Sequence, residues 1–260
     1  MYTISDFENA VKDLNEGIGN EGFNPVTSIS KLFQGVKQYF HGKMLGLDKP
    51  IVLADVSAAK KVVNSFNYTE VMDTLIFQPA RLNKPYRELL PTLEHCCRFL
   101  TATEQALPAV LKNLLDISNG AGISIYSVTP LTASKDKLEL DLQKTFNGRE
   151  ITDIAFSARF ESMTDYQGTY ADFNILVQKL VRRNPKETRL NVERIAEIAE
   201  VIHTSMTDGS VVLSAQQVKQ LGDLMLQLAR TVDVYSVATT LLISTGSALN
   251  NTAEKLLTKK

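Results

Sequence analysis

The chain has 260 residues with 28 Lys plus Arg against 29 Asp plus Glu, a formal charge of −1, so it is no polycation built to coat nucleic acid or an anionic membrane. With 44% hydrophobic and 22% charged residues it has the composition of a folded globular protein rather than a disordered one. The two cysteines, adjacent at Cys96 and Cys97, exclude a disulfide framework and fit a reducing compartment.

The opening MYTISDFENAVKDLNEG carries Asp6, Glu8, Asp13 and Glu16 and lacks the basic start and apolar centre of a signal peptide, so secretion by that route is not expected. Ile4, Phe7, Val11 and Leu14 share one helical face, with Thr3 or Ser5 as cap. GIGNEGFNP (Gly17 to Pro25) then predicts a turn. A second stripe of Ile29, Leu32, Phe33, Val36 and Phe40 ends near Gly42 to Gly46. Beyond Lys49-Pro50, Ile51 to Leu53 are compatible with a short strand, but the period favours a helix with Pro50 as its first residue, carrying Leu53, Val56, Lys60, Val63 and Phe66.

Pro79 breaks the next stretch. From Pro85 to Ile117 the spacing of Tyr86, Leu89, Leu93, Cys97, Leu100, Leu107, Val110 and Leu114 is strongly helical. Pro91 and Pro108 lie inside it, which predicts two helices with a bend near Thr101 to Pro108, closed by a left-handed stop at Asn119-Gly120. Ala121 to Pro130 allows a strand, with Ile151 to Phe156 as its partner, and KDKLELDLQKTFNG between them reads equally as helix or loop. Tyr166-Gln167-Gly168 marks a turn before a helix through Phe173, Leu176, Val177, Leu180 and Val181.

Val192, Ile195, Ile198, Ala199 and Ile202 form a further stripe that closes at Asp208-Gly209. Ser214 caps a last segment running through Val218, Leu221, Met225, Leu228, Val232, Leu241, Leu242, Leu249 and Leu256. The uncharged run Val234 to Ala253 has the length of a membrane span, but Ser, Thr and Asn interrupt it repeatedly and a packed helix is expected. The expected fold is therefore mainly α: a multi-helix bundle with a C-terminal antiparallel helical hairpin and at most a small peripheral β element. Its expected parts are a helical arm and flexible turn at 1–25, a helical region at 26–118, a mixed connector at 119–168 and the hairpin region at 169–260.

The chemical inventory points away from catalysis. Glu94-His95-Cys96-Cys97 are consecutive helical residues that point in different directions, without a CxxC or HxxxH partner elsewhere, so no metal site is expected. His41 and His203 stand alone. There is no GxSxG elbow and no GxxxxGK[ST] loop, and GIGNEG at Gly17 follows a helix rather than a strand. Carboxylate pairs such as Glu139 with Asp141 and Glu197 with Glu200 read as solvated helix faces. No catalytic or cofactor-binding residue, and no cofactor, is assigned. The one candidate contact is KLVRRNPKETR, which gathers Lys179, Arg182, Arg183, Lys186 and Arg189 around a helix end for phosphate or an acidic partner.

IFQPARLNKPYRELLPTLEHC (Ile76 to Cys96), DYQGTYADFNILVQKL (Asp165 to Leu180) and VDVYSVATTLLISTGSALNNTAEKL (Val232 to Leu256) resemble, in order and texture, helical virion structural proteins of large tailed bacteriophages, including proteins packed inside the head. The resemblance implies a non-enzymatic component made in the host cytoplasm and located in the virion. Its implied partners are capsid, portal or internal proteins, with non-specific contact to packaged DNA, self-association and no membrane. On this reading the segment before Pro25 either folds on the body or reaches a partner as an arm. The alternative is a soluble phage or bacterial enzyme or effector-binding protein with a site built from loops such as Asn119 to Gly122 and Thr164 to Tyr170.

Overall fold

Thr3 opens the first helix with a reciprocal cap. Its hydroxyl accepts from the Asp6 backbone N–H at 3.2 Å, and the Asp6 carboxylate accepts from the Thr3 backbone N–H at 2.7 Å. In the computed structural model, which describes residues 3–18, 20, 24–44, 47–77, 85–119, 135–140, 142, 153–182 and 185–259, the fold is mainly α-helical with one small two-stranded sheet. The helices are α1 (Ile4–Gly17), α2 (Pro25–Met44), α3 (Val56–Ser65), α4 (Tyr68–Val71), α5 (Tyr86–Ser118), α6 (described over 135–140), α7 (Met163–Val181), α8 (Pro185–Thr207) and α9 (Ala215–Thr258). Strands β1 (Leu75–Phe77) and β2 (Asp153–Ala155) pair antiparallel, with Ile76 opposite Ile154.

The chain forms two compact units, each assembled from three separated segments. The first comprises Met1–Asp48, Ala102–Lys135 and Asn184–Ser236, and the second Lys49–Thr101, Asp136–Arg183 and Val237–Lys260. In the first unit α2 buries Ile29, Leu32, Phe33, Val36 and Phe40, and packs along both α1 and α8. Phe7, Val11 and Leu14 of α1 are buried. Gly222 of α9 fits under Leu14, whose Cδ2 would lie 2.8 Å from any added Cβ. Residues 208–214 join α8 to α9. There Gly209, at the expected helix end, takes a left-handed conformation (φ +78°), and Ser214 exchanges hydrogen bonds with Gln217 as a second reciprocal cap.

In the second unit the helix expected from Pro50 starts later. Residues 51–55 carry no regular secondary structure, Asp55 caps α3 through the Ser57 and Ala58 N–H groups, and the buried positions are Ala59 and Val62 rather than Lys60 and Val63. Two asparagines hold this strip. Asn174 of α7 pairs with both the N–H and the C=O of Ala54, and Asn250 of α9 accepts from the Asp55 N–H and donates to the Leu53 carbonyl.

Three further expectations change. α5 is unbroken through Pro91 and Pro108, both of which are exposed, so that neither ring is pressed into the core. The turn expected at Tyr166 to Gly168 is helix. Ser162 starts α7 by accepting from the Asp165 N–H, and Gly168 sits in its second turn. β2 falls within the expected Ile151 to Phe156, but its partner is Leu75–Phe77; Ala121 to Pro130 lies outside the described residues, as does Gly120 of the expected stop.

Candidate functional site

An aromatic cluster in the second unit sets the start of α5 against the start of α7. Tyr86 stacks on Phe160 (5.2 Å between centroids, 17° between planes), Phe160 meets Tyr166 edge-on at 5.0 Å, and Tyr166 meets Tyr170 at 4.9 Å. The Tyr170 hydroxyl donates to the Leu249 carbonyl, so the proton in the 3.0 Å bond between the two hydroxyls comes from Tyr166. Burial pushes the phenols up, that of Tyr166 to about 12, with Tyr86 and Tyr170 moved in the same direction. Burial also lowers the pKa of the Arg159 guanidinium, while the neighbouring Tyr86 opposes that shift.

With those rings fixed, the outward residues of the two helices form the walls of a cleft. Arg87 and Leu90 of α5 face Glu161, Ser162, Asp165 and Asp172 across a volume of about 300 Å³. It continues into a shallower recess of about 430 Å³ floored by Pro91, Ile175 and Leu176 and edged by Glu94. Half of its polar side chains are already committed. The Ser162 hydroxyl caps the helix, the Asp165 carboxylate accepts from the Glu161 N–H at 2.9 Å, the Thr169 hydroxyl donates to the Asp165 carbonyl at 2.8 Å, and Glu94 pairs with Arg98. Thr164 to Tyr170, expected as a loop that lends groups to a site, is therefore a helix that consumes them. The arrangement offers an apolar floor and a charged rim for binding.

The basic stretch does not act as one group. Lys179 and Arg182 are exposed at the end of α7 in the second unit, Lys186 is exposed in the first turn of α8 in the first unit, and Arg183 lies outside the described residues. Arg189 is taken up within the protein. Its Nη1 lies 3.0 Å from Asp48 and its Nε 3.3 Å from Glu193, and these carboxylates raise its pKa further.

Cys96 and Cys97 are buried, the His203 ring lies 6.2 Å from that of Phe33, and no group of three metal-ligating side chains occurs among the described residues. Among those residues α9 alone is long and apolar enough to cross a membrane, and 61% of its apolar window is buried inside the protein. Thr239, Thr245 and Thr252 are among the residues it buries.

The outward face of α7 was missed by the sequence reading. Ile175 is 69% exposed beside the recess, and Gly168 stands in a helix where an added Cβ would meet nothing within 4 Å. An isoleucine outside the buried stripe of Tyr166, Tyr170, Phe173, Val177 and Leu180 is the sequence signal that would have found it. No family model, no curated protein and no solved structure matches this chain.

Proposed function

We propose that the chain is a non-enzymatic structural component of a bacteriophage particle, internal or capsid-associated, that works through helix-mediated contacts with capsid, portal or other internal proteins. The observation that carries this reading is the exposed α7 face, where Ile175 and the apolar floor of Leu90, Pro91 and Leu176 lie open along two helices. Such a face suits a partner helix, which brings its own backbone hydrogen bonds already satisfied and needs only shape and apolar area to dock. The resemblance of Ile76 to Cys96, Asp165 to Leu180 and Val232 to Leu256 to virion proteins supports the same reading. Contact with packaged DNA would rest on Lys179, Arg182 and Lys186 once Arg189 is occupied. Three separate surface cations on a chain of net charge −1 are a thin footprint for phosphate, so protein contact is favoured.

The test is quantitative mass spectrometry of density-purified particles of the source phage, with head and tail fractions separated. Many copies per particle in the head fraction are expected. Absence from every fraction overturns the proposal and moves attention to the enzyme or effector reading, for which the cleft beside Arg87 is the place to screen ligands.

A further inference from the structure

We propose that the outward face of α7 is a self-association surface, on which a second copy of this chain lays its own α7 antiparallel to the first. The inference deepens the helix-mediated assembly proposed above, rests on it for context, and names the partner.

Thr164, Gly168, Ala171, Ile175, Gln178 and Arg182 follow one another at intervals of four, three, four, three and four residues. This is the spacing that keeps one seam of a helix facing a partner helix over several turns. All six lie on the outward side of α7 and its C-terminal cap, five of them exposed and Gly168 half-buried, while the opposite face is in the core. Glycine inside a helix costs about 1 kcal/mol relative to alanine. Among the described residues nothing requires that cost at Gly168, since an added Cβ there would meet no atom within 4 Å. With Ala171 one turn on, it leaves a low stretch of surface where a second backbone can come close.

Charge then fixes the direction. Asp165 and Asp172 lie in the first half of the helix, and Lys179 and Arg182 at its end. When two such helices run antiparallel about a centre between Ile175 and Leu176, Asp172 of each copy falls opposite Lys179 of the other. Both residues lie on the same flank of the seam, as an antiparallel pair requires. Among the described residues neither has an ion-pair partner within its own chain. Arg182 of each copy falls opposite Thr169 of the other, next to Gly168, where the missing side chain makes room. A parallel pairing would instead put this flank of the two helices on opposite sides of the seam, so that Asp172 and Lys179 would form no pair across it. The antiparallel arrangement also opposes the two helix dipoles and closes on itself as a two-fold dimer without exposing a further sticky surface.

Sedimentation velocity of the full chain across a concentration series tests this. A monomer–dimer equilibrium is expected. Ile175→Asp should weaken it at least about tenfold, as loss of a central apolar anchor does, with far-UV circular dichroism unchanged and the thermal midpoint unchanged at concentrations where the wild type is monomeric, because Ile175 is exposed. Asp172→Lys and Lys179→Asp should each weaken the dimer, and the double exchange should restore it to within about threefold, since it recreates the opposite-sign pairs. A wild-type chain that stays monomeric throughout, a dimer indifferent to Ile175→Asp, or a double exchange that fails to recover would each overturn the proposal. A monomeric chain that still copurifies with particles removes self-association and leaves the structural role. A dimer that shows all three variant effects but is absent from particles upholds this surface and removes that role.

Discussion

The side-chain amide of Asn174 satisfies both polar groups of the Ala54 backbone. Its Oδ1 accepts from the Ala54 N–H at 2.8 Å and its Nδ2 donates to the Ala54 carbonyl at 2.9 Å. One planar group thereby replaces the strand neighbour that the strip 51–55 lacks, and it does so from the inner flank of the helix whose outer face carries Ile175.

Asn174→Ala should accordingly cost about 1–2 kcal/mol, because the part-buried Ala54 N–H loses its acceptor, while the Ala54 carbonyl keeps the bond from the Val56 N–H. Asn174→Asp keeps the acceptor and loses the donor, and should fall between the two. Urea unfolding monitored by circular dichroism checks the order, and equal midpoints for all three proteins would show that water replaces the amide without loss.

Gly246 lies where α9 passes under the same strip. A Cβ added there would stand 2.6 Å from the Val52 carbonyl oxygen and 3.2 Å from the Phe173 ring. Gly246→Ala should destabilise by about 1–3 kcal/mol, the cost of overpacking against a backbone atom that cannot swing away. Gly42→Ala is the matched control. Nothing lies within 4 Å of that position, which is in the last turns of α2, and gain of helix propensity should leave stability unchanged or raised by up to about 1 kcal/mol.

Arg189 and Lys186 should separate on a heparin column. Lys186→Gln is expected to elute at lower salt, whereas Arg189→Gln should elute with the wild type, because its guanidinium is already held by Asp48 and Glu193. Its loss should instead lower the thermal midpoint slightly. Earlier elution of Arg189→Gln would show that the ion pairs open to admit an external anion.

The buried phenols set an alkaline limit. Tyr166 is pushed up to about 12 in the folded chain from 10.0 when free. Between those values the unfolded chain gives up a proton that the folded chain keeps, so folding stability is full below pH 10 and falls as pH rises toward 12. Tyrosinate absorbance should then develop in two parts, exposed tyrosines first and the buried group together with unfolding. Tyr166→Phe should reduce the steepness of the stability loss over that range, measured by denaturant midpoint against pH.

Most helices were legible because their buried residues recur every three or four positions, and Thr3, Gly209 and Ser214 act where their residue types predict. What escaped depends on distant partners. The onset of α3 moved from Pro50 to Val56 because Asn174 and Asn250, more than a hundred residues on, hold the backbone of that strip. β1 is three residues long with two of its side chains exposed, too short for an alternating pattern to register. Gly168 read as a turn because its use lies on an outer face, not in local backbone geometry. Arg189 looked free because Asp48 is 141 positions away. The cleft beside Arg87 exists only through the aromatic cluster that joins α5 to α7, and no local motif encodes it.

The threefold segmentation of each unit also constrains how the protein is made. Glu8 of α1 meets Arg230 of α9, 222 positions later, and Leu14 meets Gly222. When α1 and α2 leave the ribosome, about two thirds of the chain that completes their core has still to be synthesised, and the second unit waits for its closing helix end as well. At ordinary elongation rates of about 5–20 residues per second the first apolar stripes spend many seconds without their final neighbours. Vectorial folding from the N-terminus is therefore closed to this topology. The early helices must stay soluble until α9 has been made, and an assembly that uses the chain receives subunits whose cores close late in synthesis.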